Sequence, residues 1–484
     1  MGGEKLNYEK FGLKAGLEIH QQLDVGGKLF CKCPTYLQSG EPEFIVKRRL
    51  HRVAGESGEV DVAVEYEASL GKEFIYQGYR DNVCLVDLDE EPPHLLNSLA
   101  LDEVLKIALL LNCEIYQNSQ IMRKTVIDGS NTAGFQRTVL IAHDGFLETS
   151  FGKVRIDSIA LEEDSGRLVN ENDKSTTYNL DRLGIPLIEI ATAPDMNNPE
   201  QIKETALKIG EIIRACKVKR GIGTIRQDLN ISIKGHDRVE IKGFQEPKMM
   251  IKTADLEIQR QLEDIKNKKI KGEVRGALPD GKTKFNRPIP GKARMYPETD
   301  LPLLYISKGK IDEMKKHLPK LKSELRDELK KKGVSAELID LVIGEIDEFN
   351  TLMKVYDKDA NLIAKMIVLW RNEIANKVKK NEEEIRDILS ERTFERVLEA
   401  LREKKINEGD VRLVLIKIAS GESVENALKI ERINDDEVER EIRAIVKSKP
   451  GLRANAYMGL VMAKLKGKID AKKAMEILRK LVED

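Results

Sequence analysis

Near residue 305 the period of the apolar residues changes, and this change constrains the fold more than any other feature of the chain. Before it, short runs alternate apolar and polar residues, as in GTIRQDLNISI (223–233) and VEIK (239–242), with glycine turns between them. A period of two marks strands that turn one face toward a core. Beyond it, apolar residues return at helical spacing: Leu318, Leu321, Leu325 and Leu329, then Ile363, Met366, Ile367 and Trp370. Such spacing draws one stripe along a helix, which reads as core packing. Two helices are predicted to interrupt the strand-rich part, near 100–111 and 200–213, the second opened by Asn197-Asn198-Pro199. A polar cap followed by proline at the first helical position is a standard helix start. The class is therefore α+β, with a large mixed domain over 1–305, a helical domain over 306–407 and a small helical tail over 408–484. Breaks around 406–410 and at Gly421 separate the last two.

A chain of 484 residues exceeds a single core and suits about three domains. Basic and acidic residues balance at 82 each, which excludes a wholesale polyanion binder and confines nucleic-acid contacts to local basic faces. One such face is expected in the tail, at Lys447, Lys449, Arg453, Lys464, Lys466, Lys468, Lys472 and Lys473, where the alternative is an ordinary lysine-rich helical surface. A second basic stretch, 266–271, reads as a connector. There is no run of eighteen apolar residues and no secretory core at the start, so the cytoplasm is the expected location.

Glu162, Glu163 and Asp164 close an apolar stretch, with no basic residue until Arg167. Like charges packed together raise carboxylate pKa values unless a cation compensates, so the cluster points to a metal; a solvated turn is the alternative. In GLEIHQQLD (16–24) strand alternation places Glu18 and His20 on one face, as a shared ion or an acid and imidazole pair would need. In the 223–233 run Arg226, Asp228 and Asn230 share a face, and Glu240 with Lys242 share one on the next strand. Carboxylate and amide oxygens are hard ligands and a guanidinium is a fork for phosphate, so these strands suit a magnesium and phosphate surface. The loop GSNTAGFQ (129–136), beside Arg123 and Lys124, is donor-rich and flexible but lacks the order of a Walker A motif. RMYPETDLP (294–302) carries Arg294, Tyr296, Glu298 and Asp300 on a proline-stiffened segment.

Five cysteines, an odd number in a long chain, fit a reducing compartment better than a disulfide framework. Cys113 and Cys216 read as core. Cys31-Lys32-Cys33 is half of a zinc site that Cys84, followed by Asp87, could extend, against the alternative of plain reduced thiols.

Together with KLFCKCP (28–34), LEEDSG (161–166) and YNLDRLGIPLIEI (178–190), these segments occur in the order found in one family. The chain resembles the E subunits of archaeal glutamyl-tRNA(Gln) amidotransferases, relatives of the bacterial B subunits, over nearly its whole length. GSNTAGFQ and DEEPPHLLN (89–97) resemble the E form more than the B form. The resemblance implies a catalytic cradle over 1–305, a helical domain and a tRNA-binding tail. It implies that ATP phosphorylates the side-chain carboxylate of glutamate on tRNA(Gln), and that ammonia from an asparaginase-like partner, the D subunit, then displaces phosphate, in an assembly of two D and two E chains. By the same resemblance Glu18, His20, Glu162, Glu163 and Asp228 are assigned to magnesium. Arg123, Lys124, Ser130, Gln136, Arg226, Asn230, Lys242, Arg294, Tyr296, Glu298 and Asp300 are assigned to ATP or substrate, and Lys447, Lys449, Arg453, Lys464 and Lys466 to tRNA. Two departures stand out. E subunits ordinarily carry an inserted domain similar to part of aspartyl-tRNA synthetase between the segments equivalent to 258–262 and 275–281, where this chain has only the lysine-rich connector. Zinc-binding bacterial relatives have a cysteine where Asp87 stands, which leaves zinc at Cys31, Cys33 and Cys84 in question. The rival readings are a non-catalytic tRNA-binding scaffold and a standalone metal-dependent hydrolase.

Overall fold

The computed structural model describes residues 7–54, 58–244, 247–291, 294–430, 435–464 and 471–482. The chain forms two compact units, Met1–Leu321 and Lys322–Asp484. The boundary falls later than the change of period at 305, because the helix Lys308–Lys316 turns Met314 into the core of the first unit.

An eleven-stranded sheet, counted among the described residues, dominates that unit. From one edge its strands are Thr283–Pro288, Glu273–Ala277, Val239–Phe244, Ile225–Ser232, Lys14–Gln22, Pro186–Thr192, Gly152–Glu163, Phe135–Thr149, Met122–Thr125 and Met295–Pro297, with the short Glu114–Ile115 beside Phe135–Thr149. Neighbours are antiparallel except Val239–Phe244 with Glu273–Ala277. Parallel pairing needs a crossover, which the helix Pro247–Lys266 supplies.

Alternation splits the sheet into a greasy and a polar face. Leu17, Ile19, Val139, Leu161, Ile188, Ile190, Leu229 and Ile241 enter one large apolar cluster. Besides Lys308–Lys316, three helices contribute to that cluster: Ser98–Leu110 through Val104 and Leu105, Pro199–Ala215 through Ile202 and Ile209, and Pro247–Lys266 through Met250 and Ile258. The first two start where expected, because the side chains of Asn97 and Asn198 accept the N–H groups of Leu99 and Gln201 that have no partner within the helix. Burying one Ile or Leu of this cluster stabilises the fold by about 1.5–3 kcal/mol.

A second sheet of four strands, Phe44–Arg48, Glu73–Gly78, Ser175–Asn179 and Arg167–Glu171, has its own small core around Phe74, Tyr76 and Tyr178. The second unit is helical throughout its described residues, with one apolar cluster between Leu329 and Ala427 and another between Val438 and Leu478.

Candidate active site

The polar face of the large sheet is the floor of a cavity of about 980 Å³. Strand register assembles that floor. Glu18 lies opposite Asp228 on one neighbouring strand, and His20 lies between Arg226 and Glu189. Farther across, Glu162 faces Thr138, and Lys124 faces Gln136. On the other side Lys242 and Glu240 complete the row. Because these strands pack their other face into the core, the polar groups are held by rigid backbone.

Acids and cations interlock on the floor. Nε2 of His20 lies 3.1 Å from Glu189 and 3.4 Å from Glu18, while its buried Nδ1 has no hydrogen-bond partner among the described residues. Lys124 Nζ donates to Glu162 at 2.5 Å and lies 3.6 Å from Glu189. Thr138 and Gln136 also donate to Glu162, at 2.8 and 3.0 Å. Lys242 bridges Asp228 at 2.9 Å and Glu240 at 2.6 Å.

Around His20 the carboxylates Glu18, Glu162, Glu189, Asp228 and Glu240 thus interleave with Lys124, Lys242 and Arg226, while Arg238, Arg287 and Arg294 also line the cavity. Burial, then the charge of Glu189, pushes the Glu18 carboxyl above its ordinary pKa. Burial opposes protonation of His20, but Glu189, joined by Glu18, outweighs it and raises the imidazole pKa. Burial would likewise raise Glu189 and Asp228, yet Lys124 with His20 holds the first low and Lys242 with His20 holds the second low. One oxygen each from Glu18 and Glu189 and one nitrogen of His20 lie within 4.8 Å of one another. Two hard oxygens and an imidazole, with further carboxylates close by, form a donor set suited to a divalent cation.

Glu18, His20, Glu162, Lys124, Ser130, Gln136, Arg226, Lys242 and Arg294 all line the cavity. Asp228 is buried beneath Lys242, and Asn230, one step along the strand face, keeps a buried Oδ1 without a partner among the described residues. The acid run does not converge as one cluster, because successive side chains of a strand point to opposite faces. Glu163 turns away from the cavity, accepting the Arg137 backbone N–H at 3.0 Å and its guanidinium at 3.3 Å. Asp164 accepts Gln22 Nε2 at 2.7 Å at the cavity edge.

Arg123 also points away, to Glu298 at 2.5 Å and Asp300 at 3.1 Å. Tyr296, Glu298 and Asp300 therefore lie behind the cavity wall: Tyr296 packs on Phe135 with ring centroids 6.2 Å apart, and Glu298 binds Arg137 at 2.8 Å. On that segment Arg294 and Met295 reach the cavity instead. The sequence reading missed Glu189. Its signal was a single acid inside the apolar run IPLIEIA, a position no core packing explains.

The thiols of Cys31, Cys33 and Cys84 and a carboxylate oxygen of Asp87 lie within 4.8 Å of one another. Asp87 Oδ2 already accepts Lys28 Nζ and the Cys84 N–H, both at 3.0 Å, with Lys28 fully buried. In the tail Lys447, Lys449 and Arg453 are exposed, Lys464 pairs with Glu441 at 2.9 Å, and Lys466 and Lys468 lie outside the described residues.

The GatB/GatE catalytic domain matches residues 13–312, a span that contains every group on the cavity floor. The chain belongs to the GatB/GatE family. This GatB/GatE chain is 36% identical to the E subunit of glutamyl-tRNA(Gln) amidotransferase from Methanocaldococcus jannaschii, across 99% of its own length and 100% of that protein. It is 33% identical to the E subunit from Saccharolobus solfataricus, with 98% of each chain covered, and 32% identical to that from Methanococcus maripaludis, with 99% of each covered. The first of these alignments runs over 639 positions whereas this GatB/GatE chain has 484 residues, so at least 155 of them are gaps in it.

Proposed function

We propose that the chain is the tRNA-binding, ATP-using component of an amidotransferase that converts glutamyl-tRNA(Gln) to glutaminyl-tRNA(Gln). The observation that carries this reading is the convergence of Glu18, His20 and Glu189 between two lysines at the floor of a large cavity. A glutamate side chain is a poor electrophile until one carboxylate oxygen attacks the γ-phosphorus of ATP and ADP leaves. Ammonia then attacks the acyl carbon and inorganic phosphate departs.

Magnesium, held by Glu18, His20 and Glu189 with Glu162 and Asp228 beside them, would neutralise charge on the phosphates and on the incoming carboxylate. Lys124 and Lys242 help hold Glu189 and Asp228 below their ordinary pKa and offer positive charge to phosphoryl oxygens. Arg226 and Arg294, which line the cavity with no ion pair among the described residues, are fitted to grip the polyphosphate, with Ser130 on the facing loop, while Gln136 positions Glu162. Arg123, Tyr296, Glu298 and Asp300 act from behind the wall by fixing Arg137 and the strand that carries Lys124.

Ammonia would come from an asparaginase-like partner, the D subunit, in a two-plus-two assembly, and the exposed Lys447, Lys449 and Arg453 would track tRNA phosphates. Zinc would be held by the thiols of Cys31, Cys33 and Cys84, with Asp87 neutralised by Lys28. The deciding measurement is ATP hydrolysis by the full chain with magnesium and glutamyl-tRNA(Gln). Stimulation by the charged tRNA is expected, with a loss of about 100-fold in Glu18→Gln and in Glu189→Gln. Turnover indifferent to the tRNA, or unchanged in both variants, would refute the reading.

A further inference from the structure

The helix Pro247–Lys266 ends in a run of basic residues without ion pairs among the described residues. Lys266, Lys268, Lys269 and Lys271 are all exposed. Two of the nearby acids are committed elsewhere, since Arg260 takes Asp264 and, at 3.2 Å, Glu273, which Arg275 also holds; Glu263 and Asp237 are exposed beside the run, whose four lysines outnumber them. The run is nevertheless well ordered. The N–H groups of Lys268 and Lys269 close the helix on Ile265 and Asp264, at 3.2 and 2.8 Å, with Lys268 in the left-handed region at φ +59°. Asp237 N–H then ties Ile270 O at 2.9 Å, and at Gly272 the backbone passes so close to Arg238 that a Cβ would meet its carbonyl oxygen at 2.3 Å.

That contact sets the run on the rim of the cavity. Arg238 lines it, and so does Val274, three residues beyond Lys271 and about 10 Å of extended chain away. On the edge strand Arg287 also lines the cavity with no ion pair recorded among the described residues, and Lys284 is exposed. Cations are therefore concentrated from this exposed connector to the cavity wall, in a protein whose net charge is zero.

We infer that this connector is a backbone-binding track for the RNA substrate, guiding its acceptor end over Arg238 into the cavity. The inference rests on the proposed function, and it gives the short segment a contact made through phosphates and independent of sequence. Exposed cations on a hydrogen-bonded backbone, beside a cavity lined by further arginines, suit a polyanion, since each phosphate neutralised releases condensed counterions.

The test is the affinity of the full chain for an uncharged tRNA(Gln) transcript across a salt series. The triple variant Lys268→Glu, Lys269→Glu, Lys271→Glu is expected to bind at least tenfold more weakly at moderate salt. The corresponding alanine variant should bind with a log–log salt slope shallower by about 2, as the loss of roughly three phosphate contacts requires. Wild-type binding with unchanged affinity and slope in both variants would overturn the track while leaving the proposed function intact. A wild-type chain that binds no tRNA would overturn both, and wild-type binding to phosphatidylglycerol vesicles without binding to tRNA would reassign the track to a lipid surface.

Discussion

Glu298 is wholly buried between the guanidinium groups of Arg123 and Arg137, so its charge depends on theirs. Burial alone would raise its pKa, but the hydrogen bonds from Arg123, the Asp300 N–H and Arg137 bring it below the ordinary 4.5. A carboxyl whose folded pKa is depressed contributes stability that is present above its unfolded value and is lost as pH falls through the folded one. Glu298→Gln should therefore cost about 3 kcal/mol near neutrality, because two cations lose their shared partner. The gap to the wild type should narrow below about pH 4.5 in denaturant melts followed across pH. A gap of constant size from pH 7 to pH 3 would contradict the assignment. None of this was legible in RMYPETDLP, since a glutamate on a stiff segment looks the same whether it faces a cavity or braces its wall.

Within the strand Gly152–Glu163, adjacent glutamates have opposite surroundings. Glu162 meets Lys124 on the floor, whereas burial raises the pKa of Glu163 against the opposing pull of Arg137 behind it. Glu162→Gln should abolish most ATP turnover, by about 100-fold, with little change in melting temperature. Glu163→Gln should lower stability by about 2 kcal/mol and leave manganese binding, read as a stand-in for magnesium, within about twofold of the wild type. The reverse pattern would show that the two residues have exchanged roles. Sequence revealed that acids were grouped but not which faced inward, because apolar residues lie on both sides here. Ala160 and Leu140 line the cavity while Leu161 and Val139 enter the core, so hydrophobicity gave the alternation no anchor. The same ambiguity hid the opposite directions of Arg123 and Lys124. Glu18 with His20 was easier, since Leu17 and Ile19 between and beside them mark the core face without ambiguity.

At the scale of the molecule, every group on the cavity floor belongs to the unit Met1–Leu321, and its main apolar cluster draws on no residue beyond it. A fragment ending at Leu321 should melt cooperatively and bind manganese within about twofold of the full chain, while its affinity for tRNA falls with the loss of Lys447, Lys449 and Arg453. A fragment with no cooperative transition would show that the units are not independent in stability. The change of period near 305 precedes this division by one helix, Lys308–Lys316, because periodicity reports only which face an element buries. It carried no information on the core that Met314 joins, which depends on contacts distant in sequence.

The crossover through Pro247–Lys266 starts and ends beside the strand Val239–Phe244, at one margin of the sheet. The register that sets Glu18 and His20 against Glu189 is made by strands farther inside the sheet, so the length of this connector is a variable independent of the reaction centre's alignment.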